Sequence, residues 1–213
     1  MAAELMSAQL REYIDSLVPP RPAELQAMEE KASRLGFPII GPASGHLCYQ
    51  VARMIGARRV FELGSGYGYS TAWFARAVRE NGGGTVYHTV WDEELSRQAR
   101  GHLAALGYAD IVEYRVSEAV QALRETDGPF DLIFNDIDKH AYPASLAVID
   151  EKLRPGGVLI IDNMIWSGRI FDQQDQDPAT QGVREFTRMI TTDPRWVASL
   201  IPIRDGLILA YKQ

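Results

Sequence analysis

The chain is short of several things, and each shortage narrows what it can be. One of its 213 residues, Cys48, is cysteine, so no disulfide can form within the chain. A reducing compartment, with the cytoplasm as the default, is expected. Cys48 lies in an apolar stretch, where a thiol is a small core residue rather than a nucleophile. No apolar run is long enough to cross a bilayer. The opening MAAELMSAQLREYIDSL carries Glu4 and Glu12 and no apolar segment of the secretory kind. Positive charge is also scarce: 22 Lys and Arg stand against 28 Asp and Glu, a formal net charge of −6. That balance disfavours strong non-specific nucleic-acid binding, which needs a basic face, while leaving room for a local patch. Repeats and low-complexity segments are absent. What remains, 46% hydrophobic and 23% charged residues, suits one ordinary domain with a sizeable core.

Residues 1–42 read as a helical cap and loop, and residues 43–213 as the core of a single 1–213 domain. Leu5, Leu10, Tyr13, Ile14 and Leu17 have near-helical spacing over residues 3–17, ended by Pro19-Pro20. A second helix is expected from about Pro22 to Leu35, with Leu25, Met28 and Leu35 on one side and Gly36 as its stop. Preceding the first strand, these two helices are a cap or an oligomer contact. Ser44 is a candidate cap for a third helix. Strands then alternate with helices: Arg59–Leu63, Thr85–Val90, Ile111–Val116, Asp131–Asn135 and Gly157–Ile161. The helices between them fall around Thr71–Val78, Glu93–Leu106, Glu118–Arg124 and Ala144–Lys152. This alternation predicts an α/β fold, a mostly parallel sheet with helices on both faces. Beyond a polar loop at Phe171–Gln181, a helix is expected around Val183–Thr191. Trp196–Pro202 and Gly206–Tyr211, joined by Arg204-Asp205-Gly206, then read as an antiparallel hairpin.

Ligands of such sheets sit beyond the C-terminal ends of the strands. The stretch Val60–Ser70, VFELGSGYGYS, is a buried strand running into a glycine-rich turn that opens a helix. Its glycines, Gly64, Gly66 and Gly68, are spaced too evenly for a dinucleotide fingerprint, whose later glycine position is Tyr69 here. With Glu62 two residues ahead of the turn, it resembles instead the first motif of class I S-adenosylmethionine (SAM) methyltransferases. Two more strand ends are acidic. Asp136 follows the fourth strand, and Asp162-Asn163 follows the fifth. Neighbouring strands would bring these three oxygen donors together, a set suited to a hard divalent cation such as Mg²⁺. Lys139, one helical turn past Asp136, can point at the same opening.

LIFNDIDKHAY and RPGGVLIIDNMIWSGRI resemble the cation-dependent O-methyltransferases of the catechol and caffeoyl-CoA type. PPRPAELQAMEEKASRLGFPIIGPASG and LIPIRDGLILAYK extend the resemblance over nearly the whole chain. It implies a Rossmann-like fold with a seven-stranded sheet and methyl transfer from SAM to a small aromatic diol. It also implies a homodimer. By the same resemblance Asp136, Asp162 and Asn163 hold the metal and Lys139 is the general base. SAM contacts map onto Ile40, Glu62, Gly64, Ser65, Gly66, Ser70, Ala119 and Asp138. The chain departs from the family at the end of the second strand, where an acid usually binds the ribose and Val90 stands here. Either Asp92 takes that role through a different turn, or an interaction of roughly 1.5–3 kcal/mol is missing.

Two other readings stay open at this point. One is a tRNA hydroxyuridine methyltransferase of the same family, which would need a basic groove beside Lys139, for example from Arg97, Arg100 and Arg169. The other is a binding module whose SAM site is weakened at Val90. Trp166 is a candidate wall for an aromatic acceptor or a lid over the core, and His140 a candidate for the mouth of the site.

Overall fold

The computed structural model describes residues 6–213. Residues 3–5, including Leu5 of the expected first helix, lie outside the described residues. Within them the chain runs α1 (Ala8–Ser16), α2 (Ala23–Leu35), α3 (Gly41–Met54), β1 (Arg59–Leu63), α4 (Tyr69–Glu80), β2 (Thr85–Val90), α5 (Glu93–Ala105) and β3 (Val112–Val116). It continues α6 (Ala119–Glu125), β4 (Phe130–Asn135), α7 (Tyr142–Lys152), β5 (Leu153–Ile161), α8 (Pro178–Thr192), β6 (Trp196–Ile201) and β7 (Leu207–Lys212).

The strands form one seven-stranded sheet in the order β3-β2-β1-β4-β5-β7-β6. The first five are parallel, and β7 runs antiparallel between β5 and β6. Strand side chains alternate between two apolar layers, as a period of two requires when both faces are covered. Val60, Leu132, Phe134 and Ile160 pack with Met28, Trp73 and Phe74 of α2 and α4. Phe61, Ile133, Leu159 and Ile161 pack with Tyr142, Ile149 and Phe186 of α7 and α8. On the first face α3 and α4 lie so close that a Cβ on Gly45 would collide with the Trp73 indole.

Four boundaries depart from the sequence expectation by more than two residues. α1 begins at Ala8, where the Ser7 hydroxyl accepts from the Leu10 N–H at 3.2 Å, five residues later than expected. The third helix begins at Gly41 with Pro42 in its first turn, so Ser44 is buried inside it and caps nothing. β5 begins at Leu153, paired with Phe130 across a register shift, and Pro155-Gly156-Gly157 is a bulge within the strand. α8 takes in the end of the polar loop, because Asp177 accepts a bond from the Ala179 N–H and Pro178 fits the first helical turn.

Candidate active site

The glycine turn is built to touch the neighbouring strand. Gly64, Gly66 and Gly68 have φ of 85°, 50° and 93°, a region that side chains avoid. A Cβ on Gly64 would run into the carbonyl oxygen of Asp136 and lie 2.9 Å from its carbonyl carbon. The Asp136 N–H in turn donates to the Leu63 carbonyl at 2.8 Å. Ser65 fastens the turn to β2: its N–H donates to the Thr89 carbonyl at 2.9 Å, and its Oγ accepts from the Thr89 N–H at 3.0 Å. A narrow cleft of about 40 Å³ results, lined by Ile40, Gly64, Ser65, Gly66, Ser70 and Asp136 together with Phe37, Tyr67 and Tyr69. Tyr67 and Tyr69 are tied back as walls, donating to the Met28 carbonyl at 2.9 Å and to Glu29 at 2.7 Å.

Glu62 is fully buried at the end of β1. Burial pushes its pKa up to about 7, against the hydroxyls of Ser70, Thr71 and Ser65, which hold it down. Neither carboxylate oxygen completes a hydrogen bond of good geometry within the chain. A buried acid left in this state is a group in want of a ligand.

β4 and β5 pair with Asn135 opposite Ile161, and the Asp162 N–H donates to the Asn135 carbonyl at 3.1 Å. Asp136 and Asp162 therefore leave the sheet side by side. Asp162 is 1% exposed. Burial, and then the nearby Asp136 charge, raise its pKa to about 7, while Arg204 and Lys139 oppose the rise. Its Oδ1 has no partner, and its Oδ2 accepts from Arg204 Nη1 at 2.9 Å. Lys139 Nζ donates to Asp136 Oδ1 at 2.6 Å and to the Ile137 carbonyl at 3.1 Å. The ammonium also stands 5.2 Å from the centre of the Tyr142 ring and 5.8 Å from that of Trp166.

The β6–β7 turn supplies more than the hairpin connection that its sequence predicts. Asp205 accepts from Asn163 Nδ2 at 2.9 Å and from the Ser167 N–H at 2.5 Å. The Met164 and Ile165 N–H groups donate to the Gly206 and Asp205 carbonyls. Asn163, at φ 57°, is thus held from behind with its amide nitrogen committed to Asp205, so its side-chain oxygen is the atom that could meet a ligand. Among the described residues no group of three or more His, Cys, Asp or Glu side chains converges on one point. The trio here is two carboxylates and an amide, an all-oxygen set whose chemistry fits a hard cation.

A larger cavity, about 680 Å³, opens beside this trio and is lined by Asn163, Trp166, Arg204 and Asp205, by Ile40 and Ser44, and by Arg11, Ile14 and Asp15 of α1. Ile40 lines both the glycine-turn cleft and the larger cavity.

Glu62, Lys139 and Asp162 line neither cavity, and the same holds for several of the other expected residues. Asp92 is exposed and caps α5, its Oδ1 accepting from the Leu95 N–H at 3.0 Å, and it lines neither cavity. Val90 is buried at the end of β2. Ala119 is buried at the start of α6, and Asp138 is exposed just before Lys139; neither lines a cavity. His140 is exposed, and Trp166 is a cavity wall. The three arginines do not gather into a basic groove: Arg97 pairs with Glu94, Arg169 with Asp175 and Asp177, and Arg100 lies 4.0 Å from the centre of the Tyr114 ring.

A sheet of this order, with a glycine turn and a ligand cleft at its strand tips, is the fold of the SAM-dependent methyltransferases. An O-methyltransferase from Bacillus cereus, solved with SAH, matches all of this chain and all of its own at 29% identity and a TM-score of 0.87. The O-methyltransferase TomG of Streptomyces achromogenes, involved in tomaymycin synthesis and solved with SAM, matches over 96% of both chains with a TM-score of 0.86 and 29% identity. A catechol O-methyltransferase from Niastella koreensis is 30% identical over 209 residues, 93% of this chain and 94% of its own. The O-methyltransferase family model covers residues 20–213. The chain belongs to that family and is a SAM-dependent O-methyltransferase.

Proposed function

We propose that this enzyme methylates a hydroxyl of a small catechol-like or other vicinal-diol acceptor, and that it does so with a divalent cation, Mg²⁺, held by Asp136, Asp162 and Asn163. The observation that carries the reading is Asp162: a carboxylate 1% exposed, beside a second carboxylate, with one oxygen unpartnered. A buried anion beside a second, half-buried one calls for positive charge, of which Arg204 and Lys139 supply a part while Asp162 Oδ1 is left without a partner. Bound there, the cation supplies Lewis acidity that lowers the pKa of a diol hydroxyl and fixes its orientation.

The chain's own groups do the rest. Glu62, Ser65 and Ser70 line or underlie the cleft for SAM, and the glycine turn lets the backbone approach it closely. Lys139 Nζ, 2.6 Å from Asp136, would act as general base in its neutral amine form, its lone pair taking the acceptor's proton to give the ammonium that pairs with Asp136. Trp166 offers a flat wall to an aromatic acceptor. Ile40 lines both cavities, and in-line placement of donor and acceptor would contribute on the order of 7–11 kcal/mol, as in well-oriented systems. The catechol name of the Niastella koreensis relative supports the acceptor class. The pairing of Arg97 and Arg169 with acids speaks against tRNA. The proposal extends to a cytoplasmic homodimer joined through α1 and α2, whose Leu10, Tyr13, Leu17 and Leu35 are exposed.

The test is methyl transfer from labelled SAM to a panel of catechols and hydroxylated tRNA, with and without chelator. Turnover of a catechol that requires Mg²⁺ and is abolished in Asp136→Ala is expected. Chelator-resistant activity would refute the metal's part.

A further inference from the structure

Arg204 sits where a hairpin turn needs no cation. Its backbone is at φ 52°, a conformation that favours glycine. Yet the side chain runs inward, 29% exposed, and its Nη1 lies 2.9 Å from Oδ2 of Asp162. The same residue lines the 680 Å³ cavity next to Asn163. Of the two Asp162 oxygens, one is therefore occupied by a guanidinium and the other has no partner.

We propose that Arg204 is a resident counter-cation that neutralises Asp162 in the metal-free protein and competes with the divalent ion for it. Arg204 thereby sets how tightly the site holds metal. The inference rests on the metal reading given above. A divalent ion brought against Asp162 meets a fixed positive charge on the same carboxylate, and like charges at such range repel strongly in a buried setting. The guanidinium is the movable partner, because it reaches in from the cavity wall, whereas Asp162 is fixed at a strand tip. Whether Arg204 swings away or stays and repels, its charge weakens ion binding. Without it, Asp162 in the metal-free protein loses its one strong partner and the ion gains a freer ligand.

The experiment is calorimetric titration of Mn²⁺ into the metal-free protein, paired with thermal melting with and without Mn²⁺. Wild type, Arg204→Gln, Arg204→Gly and Asp162→Asn are compared. Arg204→Gly matters because glycine suits the turn's backbone, so a loss of folding in Arg204→Gln alone does not decide the outcome. Both Arg204 variants are expected to bind Mn²⁺ at least tenfold more tightly than wild type. The melting rise caused by Mn²⁺ should also be larger in both than in wild type. Unchanged or weaker binding in both, with wild type binding and Asp162→Asn not, overturns the role of Arg204 and leaves the metal site standing. Absence of Mn²⁺ binding in wild type and both Arg204 variants overturns the metal site, and this inference with it.

Discussion

Replacing Gly64 by alanine perturbs the donor turn and the acidic strand tip together, and the size of the effect can be worked out in two parts. The backbone at φ 85° is one that L-residues avoid, at about 1–2 kcal/mol. The added Cβ runs into the Asp136 carbonyl, 2.9 Å from its carbon, and backbone has little room to move aside. Overpacking of this kind costs about 1–3 kcal/mol. The sum is about 2–5 kcal/mol, which for a domain of this size lowers the melting midpoint by roughly 4–20 °C. Gly36→Ala separates the two parts, because Gly36 has φ 64° with nothing within 4 Å of its would-be Cβ. Urea unfolding of both variants gives the comparison. Gly64→Ala should lose clearly more stability than Gly36→Ala, and it should also weaken SAM binding. Equal losses would mean that β1 and β4 are not in the contact described, and the reasoning from that contact would fail.

Glu62→Gln tests the buried acid through pH. Its pKa rises from 4.5 to about 7 on folding, so between those values the folded chain holds more protons than the unfolded one. Stability from this group is therefore full below about pH 4.5 and declines up to about pH 7, by about 3 kcal/mol at roughly 1.4 kcal/mol per pH unit. Glu62→Gln should flatten that decline in metal-free protein unfolded in urea at pH 5 and pH 8, and an unaltered slope would rule the account out. Asp205→Ala removes the acceptor that holds the Asn163 amide. Cation affinity measured by calorimetry should fall by about 10–100-fold, and an unchanged affinity would show that Asn163 needs no support. Lys139→Ala should lower kcat by about 10²–10⁴-fold with little change in the acceptor KM; a change confined to KM would make Lys139 a binding residue.

Much of the architecture can be read from periodicity. β1 and β2 fall on the expected residues, because a strand buried on both faces is a short apolar run between polar turns. The start of β5 is hidden because Pro155-Gly156-Gly157 looks like a turn, and only pairing of Leu153 with Phe130 extends the strand through it. The first turn of α8 is hidden by its polar composition, since helix there depends on the Asp177 cap more than on apolar spacing. At the site, the placement of Asp136, Asp162 and Asn163 at neighbouring strand tips is legible because they follow strand ends directly. Arg204 and Asp205 are not, since they meet Asp162 and Asn163 across 42 positions of sequence once the hairpin folds back. Asp92 carries two signals at once: just beyond a strand end it reads as a ligand, and three residues before the Leu95 N–H it reads as a helix cap, the bond its Oδ1 makes.

The position of β7 bears on how the protein is made. It lies between β5 and β6, and the turn just before it carries Arg204 and Asp205. A ribosome delivers this strand after all six others described here, so a nascent chain paused before residue 204 can pair β1 to β5 while its acidic pocket still lacks both the clamp and the counter-charge. The two residues that hold Asp162 and Asn163 are therefore the last parts of the strand-tip chemistry to leave the ribosome.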